Sequence, residues 1–536
     1  DHPRGPKCLT THDPMITPSY PGVYIEEVPS GVRPITGVAT SITAFIGRAQ
    51  RGPTSTPVRI QNFGEYQRMF GALWDEAPMS YAVRQFFDNG GIDAVIVRVH
   101  NAAVSASLTI GGFLSLQAAS QGRGNPGEWA NSLSAEVDDH TRDEDDTVRD
   151  PTLFNLTLRL YRSTAMEEPA LALEQFMNLS TDPNSPKFVT TVLASASQLA
   201  RVNGAVGAMP IFGDPETLFL LGDDGAIVDG AAFIDPLDPN FQAGKQGIYA
   251  FEDTDLFNLM NIPRFSLDNE VTDAVLAAAL TYCQARRAML IIDPMASWAT
   301  PGTIAPLFNA LRSTLGGMNS GRNAMAYFPN LRIPDPVLEN RLRHFPPGGA
   351  MAGIFARTDA QRGVWKAPAG IEAGVIGAKE LSYPMTDGEN GLLNPLGLNC
   401  IRTKVPYGHI AWGARTLAGD DRMASEWKYI PIRRTALYIE ESLFRGLHWV
   451  VFEPNDEPLW AQIRMNTKAF MQNLFKKGAF QGVAAKDAYF VKCDYENNPQ
   501  SQIDLGIVTV TVGFAPLKPA EFVIIQIQQM AGQLEA

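Results

Sequence analysis

The stretch from Val271 to Pro294 constrains this chain more than any other. Val275, Ala278, Ala279 and Tyr282 recur at helical spacing, so Val271–Arg287 is predicted to be an amphipathic helix. It runs straight into Ala288-Met289-Leu290-Ile291-Ile292-Asp293-Pro294. An unbroken apolar run of that length suits a strand covered on both faces, as in a parallel sheet. A second helix, near Gly302 to Leu315, precedes another such strand at Asn323–Phe328. The same grammar stands earlier. A strand over Ser41–Gly47 is followed by a helix over Ser80–Asn89, and Gly90-Gly91 caps that helix before a strand over Ala94–Val99. Strands alternating with helices predict an α/β core.

The texture elsewhere differs. Ser107–Ile110 and Phe154–Tyr161 alternate with period two, so residues 101–205 are predicted to be an inserted β-rich domain. Residues 206–246 are rich in Gly, Asp and Pro and are expected to form a mobile loop or small surface hairpin. Residues 346–395 are rich in Gly and Pro and need tertiary contacts to hold them. The last stretch alternates helices (Thr435–Leu447, Glu457–Lys477) with strands (Ala488–Cys493, Ile507–Phe514). A chain of 536 residues is too long for one core, and about three or four domains are expected. The fold class is therefore α/β and α+β multidomain.

Each end of the chain carries a strand without an obvious partner. One is Tyr20-Pro21-Gly22-Val23-Tyr24-Ile25-Glu26-Glu27, the other Pro519-Ala520-Glu521-Phe522-Val523-Ile524-Ile525-Gln526-Ile527. Val23 and Ile25 share one face, with Tyr24 and Glu26 opposite; Ile525 and Ile527 likewise share a face. Backbone N–H and C=O groups need partners, and a neighbouring copy can supply them by strand addition. Residues 1–14 show no periodicity; Met15 is expected to be the natural start, preceded by a disordered extension or a gene-boundary remnant.

Charge and motifs weigh against several functions. With 44 basic and 57 acidic residues, the net charge of −13 disfavours a nucleic-acid partner. The four cysteines lack CxxC spacing and read as reduced thiols, which suits a protein made in the cytoplasm. No run of about 18 apolar residues predicts a membrane span. No GxxxxGK[ST] loop, GxSxG elbow or HExxH pair occurs. The seven histidines form no metal spacing, and Asp143-Glu144-Asp145-Asp146 reads as a solvated loop. A hydrolase remains the rival reading, because Asp293 follows a strand end and His344 and His409 are the nearest histidines in sequence. No catalytic residue, cofactor or metal is expected.

Several segments together resemble the tail sheath proteins of contractile phages and related injection systems. They are Tyr20–Glu27, Pro346–Asp359 with Arg362–Gly370, and Leu393–Asn399 with Ile401-Arg402. Trp412-Gly413-Ala414-Arg415-Thr416, Ile432-Arg433-Arg434 and Val451–Asp456 with Leu459-Trp460 follow, and Ala515-Pro516 with Pro519–Phe522 closes the series. Their order spans residues 18–530. One departure is Ala130, where a glycine often precedes the asparagine of a Trp-Gly-Asn turn.

The resemblance implies a structural subunit. Sheath subunits form six-membered rings stacked helically around an inner tube, with terminal arms adding strands to a sheet in neighbouring copies. The sheath shortens from an extended to a contracted state and drives the tube through a target envelope. The implied organisation is an extension (1–17), an N-terminal arm (18–36), the first part of the core (37–100) and the inserted domain (101–205). Then come the variable loop (206–246), a subtilisin-like α/β domain without peptidase function (247–395), a C-terminal core domain (396–516) and a C-terminal arm (517–536). Implied partners are further copies of the chain, an inner tube protein, and baseplate and terminal cap proteins, without direct nucleic-acid contact or membrane insertion. Assembly in the bacterial cytoplasm follows, with the product a phage tail or tail-like particle, released or retained. The expected arm residues are Val23, Tyr24, Ile25, Glu26, Phe522, Val523, Ile524, Ile525 and Ile527. Arg357, Asp359 and Arg362 are candidate subunit contacts through charge-assisted bonds. Lys476 and Lys477, closing a charged helix, are candidate tube contacts, against a plain dipole-complementing role. A static, non-contracting shell is the alternative within the structural class.

Overall fold

The computed structural model describes residues 33–120, 122–139, 141, 152–167, 169–208, 215–524 and 526. They fall into two compact units. The larger comprises Gly37–Ser442, Ala479–Gln481 and the residues from Pro516 on. The smaller comprises Leu443–Gly478 and Gly482–Ala515, together with the described residues before Gly37.

An eight-stranded sheet organises the larger unit. Its order is Gly408–Ala411, Asn399–Lys404, Ala324–Phe328, Met289–Ile292, Leu259–Asn261, Thr43–Gly47, Ala94–Arg98, Val58–Ile60. The interior pairs are parallel, and the outermost strand at each edge returns antiparallel. Parallel pairing explains the unbroken apolar runs, because both faces of each strand are covered. Ala44 and Ile46 face one core and Phe45 the other. Helices Asp273–Ala285 and Pro301–Thr314 pack on the first face, and Pro78–Asp88 and Gly348–Arg362 on the second. The strands and helices expected here are present, with ends differing by at most two residues.

The helix Gly348–Arg362 lies where the sequence reads only as a Gly/Pro-rich segment. Its glycines are the reason both for the helix's position and for its invisibility. A Cβ on Gly349 would stand 2.1 Å from the carbonyl oxygen of Ala82, and one on Gly353 2.4 Å from that of Phe86. The helix therefore lies almost backbone to backbone against Pro78–Asp88. Glycine's poor helix propensity is overridden by tertiary packing.

Residues 101–208 and 215–228 carry two four-stranded antiparallel sheets around one apolar core. The stretch expected to be a mobile loop is partly built in. Thr217–Leu218 pairs with Leu133–Asp138, Phe219 is buried in the inserted core, and Val228 and Phe233 are buried in the central one. Short bridges from Leu220, Asp223 and Ala226 to residues 101–107 hold it down.

Candidate assembly site

The smaller unit contains a two-stranded antiparallel sheet, Tyr489–Lys492 against Thr511–Phe514. Its support is a small core in which Leu459, Trp460, Ile463 and Cys493 are buried, with Leu447, Trp449, Val450, Ile503, Val508 and Val510 against them. Trp460 donates its indole N–H to Asn455 Oδ1 at 2.9 Å, which satisfies the one polar group of a fully buried side chain. Helix Glu457–Lys476 supplies three of the four buried core residues and begins at Asp456, whose side chain accepts from Leu459 N.

The expected strand Ile507–Phe514 is regular only from Thr511 onward. The reason is local. Buried Asn498 accepts from Thr509 N at 2.6 Å and donates to Thr509 O at 3.1 Å, while Asn497 also donates to Thr509 O. Side-chain bonds replace ladder bonds there. What remains is a short sheet to which, among the described residues, no third strand pairs. Phe490 is 56% exposed on one face. Its ring lies over Gly513 so closely that a Cβ there would sit 2.2 Å away.

The chain segments leading to the two ends are fixed at their roots. In the smaller unit, the Arg33 guanidinium stacks 4.6 Å over Trp449, and Ile35 is buried against Gly446, where a Cβ would lie 2.6 Å from it. Val23, Tyr24, Ile25 and Glu26 lie outside the described residues. In the larger unit, Glu521 accepts from Arg415 Nε at 2.8 Å and Nη2 at 2.5 Å, and from the Tyr429 hydroxyl at 3.2 Å. Immediately beyond it, Phe522, Val523 and Ile524 are 73–83% exposed and have no regular structure. The strand expected over 519–528 is thus not regular within the described part of the single chain. Ile525 and Ile527 lie outside the described residues.

The other candidate contacts divide. Arg357 donates to the carbonyls of Asn89 and Gly374, and Asp359 forms a bidentate pair with Arg434 in which both side chains are nearly fully buried. The Asp359 pair also holds Thr40, through its hydroxyl and its carbonyl oxygen. These two charges are engaged inside the chain. Arg362, half exposed, pairs with Glu372 at 2.6 Å. Lys476 ends its helix and Lys477 caps it, both exposed. The sequence reading missed their setting. Ala461, Gln462, Met465, Lys468, Ala469, Asn473 and Lys476 form one exposed helix face, with Glu457 one turn before it paired to Arg464. The recurrence of Ala461, Met465, Lys468 and Lys476 at offsets that share one helix face was the available signal.

Asp293 stands at the end of its strand, as expected, but its partners are not histidines. Asn261 donates to it at 3.2 Å and Gly348 N at 2.8 Å, at the start of helix Gly348–Arg362. Burial pushes its carboxyl up to about 6, against the opposing pull of those hydrogen bonds. His409 is engaged with Thr403 and the Lys379 carbonyl. Among the described residues, no group of three or more His, Cys, Asp or Glu is placed to hold a metal ion, and no helix is long and apolar enough to cross a membrane.

Comparison with known proteins bears directly on this region. Residues 423–530 match the family described as the phage tail sheath C-terminal domain. The matched span includes the small sheet, the helix Glu457–Lys476 and Glu521. The chain is 28% identical over 223 residues to a Pseudomonas aeruginosa protein named as a prophage major tail sheath protein, covering 39% of this chain and 55% of the relative. It therefore spans about half the length of that relative. It is also 23% identical to a tail sheath protein of Burkholderia phage BcepMu, over 93% of this chain and 94% of the relative. The sheath complex of an extracellular contractile injection system, PVC, in its contracted state has the same fold. The TM-score is 0.56 at 21% identity, covering 96% of this chain and 99% of that one. Of the motif residues, Asn399, Arg415 and Glu521, far apart in sequence, form one bonded cluster, and Glu521 lies within the matched span.

Proposed function

We propose that the chain is the sheath subunit of a contractile tail or injection system. Copies stack as six-membered rings around an inner tube and shorten together from a metastable extended state to drive the tube through a target envelope. The observation that carries the reading is a two-stranded sheet to which no third strand pairs among the described residues, in a chain whose C-terminal segment leaves its anchor exposing Phe522-Val523-Ile524. Segments 15–28 and 519–536 act as arms that complete the small sheet of neighbouring copies. Burying each large apolar arm residue contributes about 1.5–3 kcal/mol before ordering costs. One arm is a moderate link, and many copies make a durable lattice.

The helix face with Lys468 and Lys476, extended by Lys477, supports an acidic inner-tube surface as its partner, Glu457 at its start being paired with Arg464. Exposed ion pairs are individually weak, which suits a tube that must be held and then released. Arg362 is the candidate subunit contact, with Arg357 and Asp359 bracing the helix that presents it. Baseplate and terminal cap proteins close the two ends of the stack. Assembly takes place in the bacterial cytoplasm, and the chain serves a structural rather than an enzymatic role.

Truncation tests this reading. Chains lacking 15–28, or lacking 522–536 so that Glu521 is kept, are expected to stay folded and monomeric by circular dichroism and sedimentation while failing to form long sheaths by electron microscopy. Normal polymerisation of either truncation defeats the arm reading. Acid or urea treatment of wild-type particles should yield two sheath lengths; one length with disassembly would instead indicate a static shell.

A further inference from the structure

The Arg415 side chain is completely buried, yet the group that neutralises it from the C-terminal side is Glu521, the last described residue of the C-terminal segment that is not exposed. Its guanidinium donates through Nε and Nη2 to the two oxygens of Glu521, and through Nη1 to the Asn394 carbonyl, the Gly419 carbonyl and Asp421 Oδ1. Planar bidentate pairing of this kind gives directional as well as energetic definition. The Arg415 backbone is fixed too. Asn399 accepts from Arg415 N at 2.7 Å and donates to Arg415 O at 2.8 Å, while also donating to Ala326 O. Asn399 and Ala326 belong to neighbouring strands of the eight-stranded sheet. Tyr429 adds a hydroxyl donor to Glu521, and Lys428 stands 3.8 Å from it and 2.6 Å from Asp421. Two cations and two carboxylates thus balance in one cluster. The very next residue, Phe522, is exposed.

We propose that the Arg415–Glu521 pair is a clamp that fixes the point where the C-terminal arm leaves the subunit and transfers tension on that arm into the eight-stranded sheet. The inference rests on reading 522–536 as an inter-subunit arm. Without the clamp, a pull on the arm would peel residues 517–521 from the subunit and lengthen the connection. The neighbour would remain attached but no longer held at a fixed spacing. Glu521 is on this view a positioning residue: it makes no contact with the next copy, yet determines where that contact is presented.

The experiment uses the full chain carrying Glu521→Gln, and separately the double variant Arg415→Met with Glu521→Ala, which removes both charges of the pair. Hydrogen exchange is followed at 517–521 in the soluble chain, and sheath integrity is scored by electron microscopy before and after acid-triggered contraction. Losing a charge-assisted pair is expected to speed exchange at 517–521 by about tenfold or more in both variants. Both should form extended sheaths that break into short stacks on contraction, whereas wild type stays continuous. Unchanged exchange, or variant sheaths that contract intact, overturns the clamp. If the double variant contracts intact while Glu521→Gln breaks, the defect is an unpaired buried charge and the clamp is likewise overturned. A variant too unstable to polymerise is judged on the exchange measurement, with wild-type melting as the reference. The two readings fail separately: a chain lacking 522–536 that still assembles defeats the arm, whatever the exchange at 517–521 shows.

Discussion

The eight-stranded sheet and the two-stranded sheet are built to opposite standards of completion. In the large sheet the central strands are buried on both faces, the outermost strands fold back antiparallel, and two apolar cores close over it. Nothing in its interior waits for another molecule. The small sheet has two strands of four residues each and an exposed Phe490, over a small cluster in which Leu459, Trp460, Ile463 and Cys493 are buried. An isolated pair of strands is marginal by itself. On the proposed reading, a chain of this kind changes partners not in the covered parallel sheet but in the short ladder, to which no third strand pairs among the described residues.

The sharpest way to break the comparison is to damage the finished part. Arg434→Met leaves Asp359 buried without its partner, and breaking such a pair costs about 3–5 kcal/mol. Denaturant unfolding of the soluble chain should show that loss; a change under about 1 kcal/mol would mean that the pair is far better hydrated than its burial implies.

A smaller effect comes from Asp293. Its carboxyl is raised to about 6 by burial, so between roughly pH 4 and 6 the folded state keeps a proton that the unfolded state has released. Stability should therefore fall as pH rises through that window, by on the order of 1–2 kcal/mol after allowing for partial exposure. Asp293→Asn should flatten the dependence, with Asn261 turning its unpaired amide oxygen toward the new amide. Melting temperatures at pH 5 and 7.5 check the sign, and an unchanged pH slope in the variant refutes it.

The smallest effect on stability should come from the unfinished sheet. Phe490→Asp alters an exposed side chain and should move folding stability by less than about 0.5 kcal/mol. If the sheet is an assembly site, the same change should stop sheath growth, as seen by electron microscopy. Normal sheaths from this variant would place the site elsewhere.

Much of the large sheet was legible because the runs Ala288–Pro294 and Ala94–Val99 contain almost nothing but apolar residues, and helices alternate with them. The helix Gly348–Arg362 was not legible, since Gly348, Gly349 and Gly353 argue against a helix until the backbone of Pro78–Asp88 is brought against them. The same limit applied to charges. Asp359 read as a contact for another copy, but its partner, Arg434, lies 75 residues away in sequence and closes the pair internally. Arg415 and Glu521 were visible as motif residues without visible roles, because 106 residues separate them.

By itself the sequence determined which segments must be buried, through apolar runs and their periods, and that the C-terminal end carries apolar strand formers. Periodicity and composition are local, so these survive without knowledge of contacts. Only the tertiary structure decided which charges are already matched and which remain on the surface. It also decided that the small sheet has two strands among the described residues, and that Glu521 is bonded while Phe522, Val523 and Ile524 after it are exposed. Pairing is a property of distance in space, and in a chain of 536 residues the decisive partners are rarely neighbours in sequence.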